Sequence, residues 1–166
     1  DNALIRVFTT RMQTGEFDPA HRVPFTRITK DVIESPKHQA LATEVARKSL
    51  VLLKNDRVPG ADRPLLPATP KTLDDVVVVG DLADKVTLGG YSGDPTHKTS
   101  PVQGITAALR AANPDATITF DACGTSTTAT DPAACSEETQ EALASADLVV
   151  VMAGTDQGVA REERDI

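Results

Sequence analysis

Aromatic side chains are scarce in this chain: tryptophan is missing, tyrosine occurs once, and aromatics make up 3% of the 166 residues. Any core must therefore be built from Val, Leu, Ile and Ala. Positive charge is also short. Seventeen Lys and Arg face 24 Asp and Glu, for a net charge of −7. With no basic patch in view, this balance argues against nucleic acid or another polyphosphate as partner. No apolar run approaches the roughly 20 residues that a membrane-spanning helix needs. Several motifs are absent as well. The order G-x-G-x-x-G does not follow a strand, there is no G-K-[ST], and there is no G-x-S-x-G elbow. His21, His38 and His97 have no spacing that points to a metal site or a charge relay. No cofactor or metal is implied. What remains, 40% hydrophobic and 25% charged residues, is ordinary for a soluble globular domain with a tail.

The first fourteen residues place Leu4, Val7, Phe8 and Met12 on one helical stripe, stopped by Gly15. Pro19, Pro24 and Pro36 punctuate the next stretch, which predicts an extended linker and a domain boundary near residue 35. Ser35-Pro36 reads as an N-cap with proline at the first helical position. It opens a helix whose inward face is Leu41, Ala42, Val45, Ala46 and Ser49. The apolar run 50–53 reads either as that helix's last turn or as a short strand.

From residue 74 the pattern is regular. Val76 to Val79 form a β-branched run ended by Gly80, the signature of a strand buried on both faces. Ser100-Pro101-Val102-Gln103 is a capping box, opening a helix with Val102, Ile105, Leu109 and Ala112 inward. A strand over 117–120 follows. Ser136 then caps a helix that starts with Glu137 and Glu138 and faces inward through Ala142, Leu143 and Ala146. Leu148 to Met152 form a last buried strand. Strand, helix, strand, helix, strand predicts an α/β fold: a doubly wound, mostly parallel, flavodoxin-like α/β sandwich, preceded by a helix and an extended linker.

Cys123 and Cys135 flank a small, polar, proline-containing loop. They read either as a disulfide that closes the loop, implying an oxidising compartment, or as two free thiols. Neither has a His or a second Cys at zinc-ligand spacing. Tyr91 and Ser92 stand among Gly89, Gly90 and Gly93. This is either a tight turn with an incidental aromatic, or a ring and a hydroxyl presented to a sugar. Beyond Gly154 comes an acidic loop carrying Glu162, Glu163 and Asp165. Open parallel sheets bind ligands just past the carboxyl ends of their strands, so this loop is where chemistry is expected. No helix returns after it, and we therefore expect a fragment holding part of an active site.

Several motifs occur together in order: Gly15-Glu16-Phe17-Asp18-Pro19, His38-Gln39-Ala40-Leu41-Ala42, Val51-Leu52-Leu53-Lys54-Asn55, Val78-Val79-Gly80-Asp81-Leu82-Ala83, Gly89-Gly90-Tyr91-Ser92-Gly93 and Ala146-Asp147-Leu148-Val149-Val150-Val151. In this spacing the chain resembles glycoside hydrolase family 3, at the junction after its barrel domain and the first part of its α/β-sandwich domain. The resemblance implies residues 1–35 as the end of the barrel domain and a linker. It implies residues 36–166 as the sandwich domain, incomplete at its C-terminus.

The resemblance further implies a retaining, exo-acting β-glycosidase, a β-glucosidase or β-xylosidase, acting on an oligosaccharide or other β-glycoside. The nucleophilic Asp lies on the barrel domain, which is then a partner within the same enzyme. The acid/base Glu comes from a stretch resembling E-G-x-D-R, here Glu162-Glu163-Arg164-Asp165-Ile166, so Glu162 takes that role. Glu163 stands where Gly is usual and Ile166 where Arg is usual, which leaves Glu163 as rival. Tyr91 and Ser92 fall on the aglycone side of the pocket. The loop between the cysteines resembles that of secreted members, which implies an extracellular protein. Two alternatives stay open: a non-catalytic carbohydrate-binding or interaction module of flavodoxin-like fold, and a β-N-acetylglucosaminidase of the same family, whose members use a barrel-loop His.

Overall fold

The computed structural model describes residues 1–57, 59–126 and 133–156. The chain divides into two compact units, Asp1–Leu53 and Lys54–Ile166.

The first unit contains helices α1 (Asn2–Gln13) and α2 (Pro36–Ser49). Helix α1 ends as its sequence predicts. Gly15 takes a left-handed φ of +75°. Its N–H donates to the Met12 carbonyl, and the Glu16 N–H donates to the Arg11 carbonyl, each at 3.0 Å. This is a Schellman closure, which satisfies carbonyls that the helix leaves open. Arg11 then lies 5.6 Å over the Phe8 ring and 5.3 Å over the Phe17 ring while donating to both carboxylate oxygens of Glu16. That pairing holds the Glu16 carboxyl below its ordinary range and raises Arg11.

The stretch after it is not a plain extended linker. It is folded into three short 3₁₀ turns, Ala20–Arg22, Pro24–Arg27 and Lys30–Val32. Helix α2 begins at Pro36 as expected, but Ser35 makes no side-chain capping bond. Its predicted inward face is also uncovered: Leu41 and Val45 are exposed. The reason is physical, since two helices joined by 3₁₀ turns enclose no interior, and no residue of this unit is buried. The run 50–53 forms neither a helical turn nor a strand.

The second unit opens on Asn55, whose side-chain amide brackets the backbone of Leu66. Its Nδ2 donates to the Leu66 carbonyl at 2.6 Å, and its Oδ1 accepts from the Leu66 N–H at 3.0 Å. The sheet has three strands, β1 (Asp75–Val79), β2 (Thr117–Asp121) and β3 (Leu148–Val151). They are all parallel in the order β2-β1-β3. The connections run through α3 (Pro101–Ala112) and α4 (Glu137–Ser145).

Strand β1 is the centre. Val76 and Val78 point to one face and pack with Leu73, Ala83, Leu109 and the α3 residues Val102 and Ile105. Val77 and Val79 point to the other, against Cys123 and the α4 residues Ala142 and Leu143. All four valines are at most 5% exposed, and each buried side chain contributes about 1.5 kcal/mol. Helices on opposite faces are what right-handed crossovers to either side of a central strand require.

Strand β3 departs from expectation. Leu148 and Val150 pack on the α3 face, but Val149 and Val151 are exposed. Helix α4 packs over β1 and β2, and those two side chains lie beyond its cover.

The amino ends of the strands are fastened by polar groups. The Asp147 carboxylate accepts from the N–H groups of Asp74 and Asp75 at 2.8 and 3.0 Å. Asn113 Nδ2 donates to the Leu73 carbonyl and the Asp74 carboxylate.

Candidate functional site

The opposite rim of the sheet is where the strand order places a ligand crevice. Strands β2 and β3 follow one another in sequence yet flank β1, so the crevice lies between the carboxyl ends of β1 and β3. Those ends nearly touch. Gly80 has φ +117°, and a Cβ there would stand 2.1 Å from the Met152 carbonyl oxygen. Only a residue without a side chain fits this crossing. Beside it opens a cavity of about 480 Å³. One wall is formed by Leu82, Lys85, Val86 and Thr87 after β1, with Thr99 and Pro101 at the head of α3. Residues 152–155 after β3 form the other.

Lys85 Nζ lies 3.2 Å from Asp81 Oδ2 across one turn. The Ser100 hydroxyl donates to Asp84 Oδ1 at 2.9 Å and accepts from the Gln103 N–H, while Gln103 Oε1 accepts from the Ser100 N–H. The predicted capping box is therefore present, with a third, distant partner.

Tyr91 is 94% exposed on the loop between β1 and α3. Ser92 closes the turn beneath it, donating through both its N–H and its hydroxyl to the Gly89 carbonyl. Cys123 and Cys135 are bonded to each other, which resolves the two readings of that pair in favour of the disulfide. Asp121 lies with their sulfurs in a tight cluster, but sulfurs joined to each other are not thiolate ligands. The Asp121 carboxylate instead accepts from the Ser136 N–H at 3.1 Å and the Thr139 hydroxyl at 3.0 Å. These bonds hold its carboxyl below the usual range. Glu162 and Glu163 lie outside the described residues.

Residues 50–166 match the model of the glycosyl hydrolase family 3 C-terminal domain. The chain belongs to glycoside hydrolase family 3. Among its relatives, probable β-D-xylosidase 7 of Arabidopsis thaliana is 32% identical, over 99% of this chain and 20% of that protein. A probable exo-1,4-β-xylosidase of Neosartorya fischeri is 30% identical over the same shares. β-Xylosidase/α-L-arabinofuranosidase 1 of Medicago sativa is 37% identical over 64% of this chain and 13% of that protein. The chain thus spans about a fifth of the length of relatives that it matches from end to end. No solved structure matches it.

As a family 3 chain it assembles more around the crevice than its sequence announces. Lys85, Thr99 and Thr155 join the cavity wall without belonging to any recognisable motif. Thr125 donates to the Met152 carbonyl from a loop that reads only as polar. Asn55 lies in a recognised motif, but its closure onto Leu66 has no local signal. The capping box does flag Ser100, and an acidic residue after the β1 turn is the one hint of its partner Asp84.

Proposed function

We propose that this chain is the part of a retaining, exo-acting β-glycosidase that carries the acid/base loop, and that the enzyme is of β-xylosidase type. The observation that carries the reading is the match of residues 50–166 to the family 3 C-terminal domain, with relatives named β-xylosidases aligning along 99% of the chain. Residues 1–35 end the preceding barrel domain and its linker, and residues 36–166 belong to the sandwich domain. The barrel is then the chain's partner within one enzyme, and the substrate is a terminal, non-reducing β-linked sugar on an oligosaccharide. The disulfide supports a secreted protein. Among the described residues no helix is long and apolar enough to cross a membrane.

In this mechanism a barrel Asp attacks the anomeric carbon while Glu162 gives its proton to the leaving oxygen. Glu162 then takes a proton from water as the glycosyl-enzyme is hydrolysed. The two carboxyls of a retaining pair stand about 5–5.5 Å apart, so the sandwich domain must dock against the barrel. Tyr91 offers an exposed ring to the aglycone. Ser92, whose proton is committed to Gly89, offers lone pairs.

The test is Glu162→Ala in the full-length enzyme. The expected loss in kcat is about 10²- to 10⁴-fold on substrates with poor leaving groups. Azide should restore activity on substrates with good leaving groups. Unchanged kcat with loss in Glu163→Ala would transfer the role to Glu163. Unchanged kcat in both would favour a barrel-loop His. A full-length protein without hydrolytic activity would favour a binding module.

A further inference from the structure

We propose that the free edge of β2 is a docking site for an extended, basic peptide segment that joins the sheet as a further strand. Strand β2 stands at one end of the order β2-β1-β3. Its inner edge is engaged. The Thr117 N–H donates to the Asp74 carbonyl at 2.7 Å, and the Gly80 N–H donates to the Asp121 carbonyl at 3.1 Å. A parallel ladder uses every second residue of a strand on each side, so Thr117, Thr119 and Asp121 bond β1. Ile118 and Phe120 therefore aim their N–H and C=O groups outward, and among the described residues no strand pairs with them. Such an edge is a template for another strand, and proteins commonly guard it with lysine, proline or a charge. Strand β2, Thr-Ile-Thr-Phe-Asp, has neither lysine nor proline. Its one charge, Asp121, is turned onto Ser136 and Thr139.

A groove of about 570 Å³ lies beside this edge, with β2 as one wall and Ser136, Glu138 and Thr139 at the head of α4 as the other. Ile118 packs toward α3, so strand alternation puts Thr117 and Thr119 on the α4 side. Phe120, 38% exposed, shares the α3 side and offers its ring to an apolar side chain. The groove lining holds two carboxylates, Asp121 and Glu138, and no Lys, Arg or His. Asp121 is committed to α4, which leaves Glu138 as the charge that selects the occupant. A second copy, pairing edge to edge, would add another Glu138 and bring together two chains of net charge −7; like charges at an interface are costly. A strand with Lys and Thr on the α4 side and apolar residues on the other suits the backbone groups, the threonine row and the carboxylate together.

The probe is the fluorescein-labelled peptide Lys-Val-Thr-Val-Lys-Val, titrated with the full-length protein and followed by fluorescence anisotropy. A saturable rise is expected, with hydrogen exchange slowed at the Ile118 and Phe120 amides and unchanged at Thr119, which β1 already protects. Phe120→Pro deletes an outward N–H without touching the ladder to β1 and should abolish the response. Phe120→Ala keeps that N–H and should retain it. Glu138→Gln should weaken binding about threefold, and a probe with both Lys replaced by Thr should not notice that variant. A flat titration, or Phe120→Pro binding as well as wild type, overturns the proposal; so does Phe120→Ala losing as much as Phe120→Pro. If circular dichroism shows Phe120→Pro unfolded, the exchange pattern and Glu138→Gln decide instead, and no slowing at 118 and 120 overturns it. Self-association that Phe120→Pro abolishes, with no response to the peptide, would give the edge to a second copy. A response to β-linked xylotriose and none to the peptide would make the groove a sugar site. Either result overturns the proposal. Every readout is independent of hydrolysis, so failure here leaves the glycosidase reading standing.

Discussion

The hydroxyl of Thr125 donates to the carbonyl oxygen of Met152 at 2.8 Å, reaching from the loop after β2 across the end of β1 to the end of β3. The bond passes over Gly80, where an added Cβ would meet Thr125 Oγ1 at 2.6 Å. Three strand ends are thus tied at one point, and the chain leaves that point toward its acidic loop. Thr125→Val keeps the shape and removes the donor. It should lower stability by about 1 kcal/mol, read as a reduced unfolding temperature of the protein that carries the chain. A change indistinguishable from zero would show that water replaces the hydroxyl.

Gly80→Ala should be far more costly. The new Cβ would collide with a backbone carbonyl, which has no rotamer to escape by, and φ is +117°. Strain of this kind costs about 3 kcal/mol, and soluble yield should fall sharply. Gly93 is the control, since a Cβ there meets nothing within 4 Å. Gly93→Ala should stay within about 0.5 kcal/mol of wild type.

The disulfide closes a separation of 12 residues. Replacing both Cys123 and Cys135 by Ser should cost about 2–3 kcal/mol through the freed loop entropy. Thermal unfolding with and without reductant should show the wild type falling to the level of the double variant, and the variant itself unmoved by reductant.

Asp147 gives a dependence on pH. Hydrogen bonds from the backbone N–H groups of Asp75 and Asp74 hold its carboxyl below the usual range. A depressed folded-state pKa contributes stability that is complete above the unfolded value, about 3.9. That contribution is lost as pH falls through the folded value. Asp147→Ala should therefore unfold more easily than wild type at neutral pH, and the gap should narrow as pH drops below about 4. A gap that stays constant down to the acid limit would show that the carboxylate charge plays no part.

Much of the sandwich was legible in the sequence because its signals are local. Four consecutive valines ending at Gly80 mark the central strand, and Ser100 and Ser136 mark two helix starts within four residues each. The failures have a common cause in neighbours that local patterns do not name. Helix α2 carries an amphipathic face, but nothing in its own unit covers Leu41 and Val45. Strand β3 reads as buried, yet α4 stops short of Val149 and Val151.

The candidate site was legible as a place rather than as a set of contacts. Parallel strands put it at their carboxyl ends, and the cavity lies there. The bonds that build it join residues 16 and 27 positions apart in sequence, Asp84 with Ser100 and Thr125 with Met152. No spacing rule reaches that far. Tyr91 and Ser92 read either as a tight turn or as a ring and a hydroxyl presented to a sugar, and the structure shows the turn, closed by Ser92 onto the Gly89 carbonyl.

The alternating valines of β1 make one strand the shared wall of two separate interiors, with Val76 and Val78 in one and Val77 and Val79 in the other. Side chains on a regular strand alternate between its two faces, so gaining or losing one residue within β1, if no bulge absorbed it, would exchange the contents of both interiors at once. The loops at the rim are under no such arithmetic. Length variation among descendants of this chain is therefore easier to accommodate between Thr87 and Thr99, where no residue is buried, while the count of residues within the central strand is held constant by two sets of neighbours voting together.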